Sequence, residues 1–258
     1  MITLNGLVAG YGKAGDILRG VDLTAPAATI TCVVGPNGAG KSTVLKVCSG
    51  LLRPRAGRVR IGDDDIGGRS PADILRRGVV QVPQHHGLFP SLTVRENVML
   101  GAYTRRGEKE RNRRRYTEIT EIFPLVAERA GDKAASLSGG QRRTVEFARA
   151  LMLTPRVVLL DEPTLGLDPK AAAQLADAIR ALRDADVTVL MVEQNVRFGL
   201  TLAEHAVVME SGRVLHSGDA KALLADPDMA QLFFGAAPAS HPRPTPAPPG
   251  SPDGDPSP

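Results

Sequence analysis

Apolar residues along this chain fall into short unbroken runs, separated by stretches of helical periodicity. Thr29-Ile30-Thr31-Cys32-Val33-Val34 is a largely β-branched run that stops at Gly35, and Val157-Val158-Leu159-Leu160 stops at a pair of carboxylates. Val187 to Val192 is a third such run. Apolar runs of this length without alternation read as strands buried on both faces. Ile2 to Val8 alternates loosely and reads as another strand, as do Gly57 to Ile61 and Gly78 to Val82. Between them, Ser42 to Leu51 sets Val44, Leu45, Val47 and Cys48 at helical spacing, and Lys170 to Ala185 is helix-like. The stretch from about Pro90 to Ala150 is helix-rich and is expected to form a smaller helical lobe. Buried strands linked by helices predict an α/β fold on a largely parallel sheet.

Composition narrows the picture. At 258 residues and 42% hydrophobic, the chain can bury one large α/β core or two small ones, and disorder throughout is excluded. The N-terminus lacks a basic-then-apolar signal, and the longest apolar runs fall far short of the roughly 20 residues that span a bilayer. The expectation is a chain soluble by itself. Only Cys32 and Cys48 are present, which argues against a disulfide framework or a cysteine metal cluster and for a reducing cytoplasm. Much of the net charge of +4 sits between Arg105 and Arg115, where Glu108 and Glu110 are interspersed. That mixture suits a solvated helix start, with a nearby anionic membrane surface as the second reading. With no tryptophan and 3% aromatics there is little to stack bases on, so no nucleic-acid partner is expected. Asp63-Asp64-Asp65 reads as a solvated turn. Beyond Gly235, nine prolines in the last 23 residues mark a tail, 236–258, expected to be disordered or polyproline-like.

Three motifs carry the chemistry. Gly35-Pro36-Asn37-Gly38-Ala39-Gly40-Lys41-Ser42 fits G-x-x-x-x-G-K-[ST] between a strand and a helix. Its glycines turn backbone N–H groups toward phosphate oxygens, the helix adds its positive end, and Lys41 supplies full charge to the β and γ phosphates. Ser42 offers a hydroxyl to Mg²⁺, with Asp161 holding the same ion directly or through water. Glu162, one residue further on, is placed to polarise the water that attacks the γ phosphate, as general base. Leu137-Ser138-Gly139-Gly140-Gln141 opens another helix on small residues, a second anion-accepting terminus that one nucleotide does not need.

In this order the three motifs resemble the ATP-binding-cassette (ABC) family of ATPases, over roughly residues 2 to 235. The resemblance implies a P-loop NTPase core of ABC ATPase type, with an antiparallel β subdomain and a helical subdomain near residues 90–150. It implies ATP with Mg²⁺, held by Gly35 to Ser42 and by Thr43. It also implies a head-to-tail dimer in which Ser138, Gly139, Gly140 and Gln141 meet the ATP held by a second ATPase subunit. Tyr11 resembles the aromatic residue that stacks on adenine, though it also suits a partly buried core. Gln84 resembles the glutamine that touches Mg²⁺ or the attacking water. Asp168 resembles the loop aspartate that contacts the opposite subunit, and before Pro169 it is also an ordinary helix cap. One position departs from the pattern: where most cassettes carry a histidine on the γ phosphate, this chain has Gln194. A glutamine amide can donate to a phosphate oxygen but carries no imidazolium charge. Slower hydrolysis, or hydrolysis tightly dependent on assembly, is expected.

Glu193-Gln194-Asn195, the segment Leu88 to Val98, and Met229 to Gly235 together resemble the ATPase subunits of branched-chain amino-acid importers, with urea and short-amide importers close by. Such a subunit works as a peripheral protein on the cytoplasmic face of the membrane, beneath separate transmembrane permeases, with a solute-binding protein as an indirect partner. Permease segments are expected near Gln84, His85, His86 and the Leu88-Phe89 pair. Gly140-Gln141-Arg142-Arg143 is also similar to the ATPase of lipopolysaccharide export, which leaves an exporter as the alternative, and a soluble non-transport cassette ATPase as another.

Overall fold

The computed structural model describes residues 1–12, 15–82 and 87–226. The chain opens with β1 (Ile2–Ala9), β2 (Leu18–Ala25), β3 (Ile30–Val34), α1 (Lys41–Cys48), β4 (Ala56–Ile61), β5 (Asp64–Asp65), α2 (Pro71–Arg76) and β6 (Val79–Val82). A run of helices follows: α3 (Val94–Met99), a 3₁₀ segment over Leu100–Arg105, α4 (Lys109–Ile122), α5 (Pro124–Glu128), a 3₁₀ turn over Ala134–Ser136, and α6 (Gly139–Leu151). The chain then alternates β7 (Val157–Asp161), α7 (Pro169–Asp184), β8 (Thr188–Val192) and α8 (Val196–Leu202) before β9 (His205–Glu210), β10 (Arg213–Asp219) and α9 (Ala220–Ala225).

Two sheets result. A six-stranded sheet has the order β10-β9-β3-β8-β7-β6, parallel except for β10, and a four-stranded antiparallel sheet has the order β2-β1-β4-β5. The unbroken apolar runs are the central strands, and their alternate residues feed two cores. Ile30, Cys32, Val158, Leu160, Val189 and Met191 face the core shared with α3 to α8, whereas Val33, Val157, Leu159, Leu190 and Val192 face the core shared with α1 and the antiparallel sheet. Period-two geometry therefore makes each central strand a wall of both cores.

Several expectations shift at their edges. The helix expected over Ser42 to Leu51 ends at Cys48, because Gly50 turns left-handed at φ +76 and a side chain there would lie 2.8 Å from the Arg69 carbonyl. The basic run divides: Arg105 closes a 3₁₀ segment, and α4 starts at Lys109. Its arginines pair along the exposed helix, Arg111 with Glu108 at 2.8 Å and Arg115 with Glu118 at 2.7 Å, as a solvated face requires. β2, β5, β9, β10, α2, α8 and α9 complete the fold without a run in the sequence to mark them, and Asp64 and Asp65, expected in a turn, pair with β4 as β5. Gln84, His85, His86, the Met229 to Gly235 segment and the tail lie outside the described residues.

Candidate functional site

β3 lies between β8 and β9, and the chain leaves its end for the far side of the sheet, so the sheet's direction of winding switches there. Ligands of open α/β sheets bind outside the carboxyl ends of strands at such a point. Register brings three of those ends level, with Val33 beside Val192 and Val192 beside Asp161. Gly35, Asp161-Glu162 and Glu193-Gln194 therefore emerge side by side, although they are far apart in sequence.

The loop after β3 is fixed by glycine. Gly35 has φ +154, and a side chain on it would stand 2.1 Å from the Met209 carbonyl oxygen. Gly40, at φ +97, is the N-cap of α1 and touches Leu18 so closely that a Cβ would lie 2.8 Å from Leu18 Cδ2. No side chain caps α1 and its first turn holds no acid, so its leading N–H groups and positive dipole end remain available to an anion. Lys41 is 4% exposed and its amine donates to the carbonyls of Gly35 at 2.7 Å and Pro36 at 3.0 Å. Burial pulls its pKa below the ordinary lysine value, against the opposing charges of Glu162 and Asp161. Ala39 and Thr43 are buried, while Asn37 and Gly38 are exposed on the loop's rim.

Ser42 Oγ donates to Asp161 Oδ1 at 2.9 Å. Asp161 is the last residue of β7 and is buried, while Glu162 is half-buried and leaves the strand in a left-handed conformation at φ +44. A left-handed glutamate is strained, and its backbone is held by an N–H bond to the Val192 carbonyl at 2.9 Å. The two carboxylates diverge through this backbone reversal rather than through simple strand alternation. Hard oxygen donors from α1 and β7 converge here, the donor chemistry Mg²⁺ takes. Gln194 lines a cavity of about 370 Å³ together with Gly35, Pro36 and Asn37 of the phosphate loop.

A second group of residues gathers on α6 and α7. Ser138 caps α6 reciprocally: its hydroxyl accepts from the Gln141 N–H at 3.3 Å, and its own N–H donates to Gln141 Oε1 at 3.0 Å. Asp168 caps α7 by accepting from the Ala171 N–H at 2.9 Å. A Cβ on Gly140 would lie 2.7 Å from that of Ala171, so glycine allows the two helices to approach here. Ser138, Gln141 and Asp168 line one cavity of about 450 Å³, separate from the phosphate loop. Tyr11 is 41% exposed, and its phenol oxygen accepts from Lys46 on α1 at 3.1 Å.

Two polar joints were invisible in the sequence. Glu193 is 2% exposed and accepts from Thr164 and Asn195. Burial raises its pKa above the usual carboxylate range, against those hydrogen bonds. On α6, Glu146 accepts from the Gly87 N–H at 2.8 Å while Arg149 donates to the Gly87 carbonyl, gripping the residue three beyond Gln84. The only sequence signal for Glu193 was its place between a buried strand and Gln194.

A phosphate loop, two acids at the end of a strand one place removed in the same sheet, and a second glycine-opened helix define a nucleotide-hydrolysing cassette. The pattern of the family described as ABC transporter matches residues 18–165, and the chain belongs to that family of ATPases. It is 34% identical to the high-affinity branched-chain amino acid transport ATP-binding protein BraG of Pseudomonas aeruginosa, over 91% of this chain and all of that one. It is 39% identical to the probable branched-chain amino acid transport ATP-binding protein LivF of Archaeoglobus fulgidus, over 89% and 96%. The lipopolysaccharide export system ATP-binding protein LptB of Escherichia coli K12 is 34% identical over 91% and 97%. Among solved structures, an ABC transporter cassette in its ADP conformation superposes with a TM-score of 0.80 at 27% identity, covering 91% of this chain and 98% of that one. A dimeric post-hydrolysis cassette bound to ADP and Pi superposes with a TM-score of 0.72 at 27% identity, covering 85% and 99%. No helix among the described residues is long and apolar enough to cross a membrane.

Proposed function

We propose that this chain is the ATP-hydrolysing subunit of an ABC importer that powers uptake of branched-chain amino acids or related small solutes through separate permease subunits. The hydrolytic part rests on one observation above all: Lys41, Ser42, Asp161 and Glu162 converge at the level carboxyl ends of β3, β7 and β8. Likeness to BraG and LivF over nearly their whole lengths supports the importer part.

In this reading the N–H groups of Gly38, Gly40, Lys41 and Ser42 and the Lys41 amine bind the phosphates of ATP, and Tyr11 stacks on its adenine. Ser42 and Asp161 would hold Mg²⁺, with Gln84 as a further ligand, and the ion would supply positive charge to the phosphates. Glu162 takes a proton from the attacking water as the γ phosphate departs, and Gln194 donates its amide to that phosphate. Ser138 to Gln141 and Asp168 serve the nucleotide of a second ATPase subunit, a reading supported by the cavity that Ser138, Gln141 and Asp168 line apart from this chain's own phosphate loop. Closure of two chains on two ATP molecules then drives the permeases, and hydrolysis reopens the pair. The cassette domain is assigned to residues 1–235, with the helical subdomain near 90–150 and the proline-rich tail as a spacer, and the subunit works on the cytoplasmic face of the membrane.

An exporter of the lipopolysaccharide type is the second reading, favoured by the LptB likeness and by Gln141-Arg142-Arg143. ATPase activity of the chain reconstituted with the permeases encoded beside it separates the two. Stimulation by a binding protein loaded with leucine, isoleucine or valine supports the importer; stimulation only by a lipid substrate, or activity indifferent to any permease, overturns it.

A further inference from the structure

Glu193 has no part in the hydrolytic scheme above, yet it is among the most buried carboxylates in the described residues and lies directly before Gln194. Its two oxygens serve different segments. Oε1 accepts from the Thr164 N–H at 3.0 Å and from the Thr164 hydroxyl at 2.6 Å, while Oε2 accepts from the Asn195 N–H at 3.2 Å. Its own N–H donates to the Val33 carbonyl at 3.2 Å, two residues before the phosphate loop opens.

Each partner belongs to a working segment. Thr164 follows Glu162 by two residues and starts the turn closed by the Leu167 N–H on its carbonyl at 3.1 Å, after which Asp168 caps α7. Asn195 caps α8 by accepting from the Phe198 N–H at 3.1 Å, with Gln194 held between Asn195 and Glu193. From the other side α8 presses on Glu193, since a Cβ on Gly199 would lie 3.3 Å from Glu193 Cβ and 2.6 Å from Cys32 Sγ. Burying a carboxylate costs several kcal/mol unless donors satisfy it. A purely space-filling role would be served better by an apolar side chain. What a carboxylate adds is two acceptor faces, and an amide could satisfy only one of them.

We propose that Glu193 is a positioning residue for ATP hydrolysis: by accepting from Thr164 on one oxygen and Asn195 on the other, it holds the Glu162-to-Asp168 turn in register with Gln194. Contact of Gln194 with the γ phosphate is thereby passed to the turn that faces the second subunit. This rests on the ATPase reading of the site.

The test compares kcat and KM for ATP in the full-length chain and in Glu193→Gln, Thr164→Val and their double variant, with Glu162→Gln as reference. Each single variant is expected to lower kcat about tenfold while KM moves less than about threefold. The double variant should be no slower than the worse single, because both changes weaken the same link, Thr164→Val by removing its hydroxyl bond. Unchanged kcat in both singles, a loss confined to KM, or a double loss equal to the product of the single losses overturns the proposal. Should Glu193→Gln fail to fold, Thr164→Val decides alone: reduced kcat at a native melting temperature supports the link, and normal kcat removes it. Turnover persisting in Glu162→Gln would remove the site reading and this proposal with it. Loss in Glu162→Gln with normal kcat in the other variants overturns this proposal only.

Discussion

The Ser42 hydroxyl on α1 donates to Asp161 Oδ1 at the end of β7 at 2.9 Å, joining residues 119 positions apart. The register of the parallel strands creates this meeting, because β7 runs beside β8, β8 beside β3, and β3 leads into the loop that carries Ser42. Two hard oxygen donors on two rigid elements thus meet where the proposed function would place Mg²⁺.

Asp161→Asn should therefore separate metal use from nucleotide binding. Affinity for ATP without Mg²⁺ should stay within about threefold of the parent, while the dependence of hydrolysis on Mg²⁺ shifts to higher concentration, about tenfold or more. Titrating Mg²⁺ in ATPase assays checks this, and an unshifted curve would take Asp161 out of the metal shell.

Gly35→Ala should damage both fold and site. The added Cβ meets a backbone carbonyl at 2.1 Å, which cannot swing away as a side chain could, and φ +154 is strained for alanine. Such substitutions destabilise by more than about 1 kcal/mol. A lowered melting temperature together with weakened ATP binding is expected; a native value for both would mean that the loop is not held as described.

Gln194→His places a group that can carry charge and shuttle a proton in the cavity beside the phosphate loop. Basal hydrolysis by the isolated chain should rise about tenfold, the low end of what a placed acid–base group contributes. No change would argue that position 194 does not touch phosphate.

The two thiols give a probe of the fold itself. Cys32 and Cys48 are fully buried, and burial pushes the Cys48 thiol from 9.0 up to about 12. Neither should react with a thiol reagent in the native protein, and both should react in denaturant, since the thiolate is the reactive form. The folded Cys48 thiol holds its proton more tightly than the unfolded one. Its contribution to stability is complete below pH 9.0 and is lost as pH rises through about 12. Melting temperatures across that window should fall less steeply in Cys48→Ala than in the parent.

The legible parts of the fold were those whose chemistry is local. β3, β7 and β8 announced themselves because strands buried on both faces need unbroken apolar residues, and the phosphate loop because its glycines and Lys41 are consecutive. β10 gave no such sign: most of its residues are exposed, and its place is set by pairing with β9. β2 mixes Gly20 and Asp22 into its alternation, and its register on β1 shifts twice. The role of Glu193 could not be read because its partner Thr164 is 29 residues away, on another strand's loop. Likewise the strain at Glu162 depends on a left-handed turn that no residue type there demands.

The central claim is that this chain holds half of a composite ATP site, completed by a second chain. The most direct test is the molar mass of Glu162→Gln in solution with Mg²⁺ and ATP, set beside its hydrolysis rate. Hydrolysis should drop by about a thousandfold with ATP still bound, and the protein should move from monomer to dimer on adding ATP, with the shift abolished by Ser138→Arg. A chain that binds ATP yet stays monomeric at every nucleotide concentration, or whose Glu162→Gln variant hydrolyses ATP at the parental rate, would contradict it.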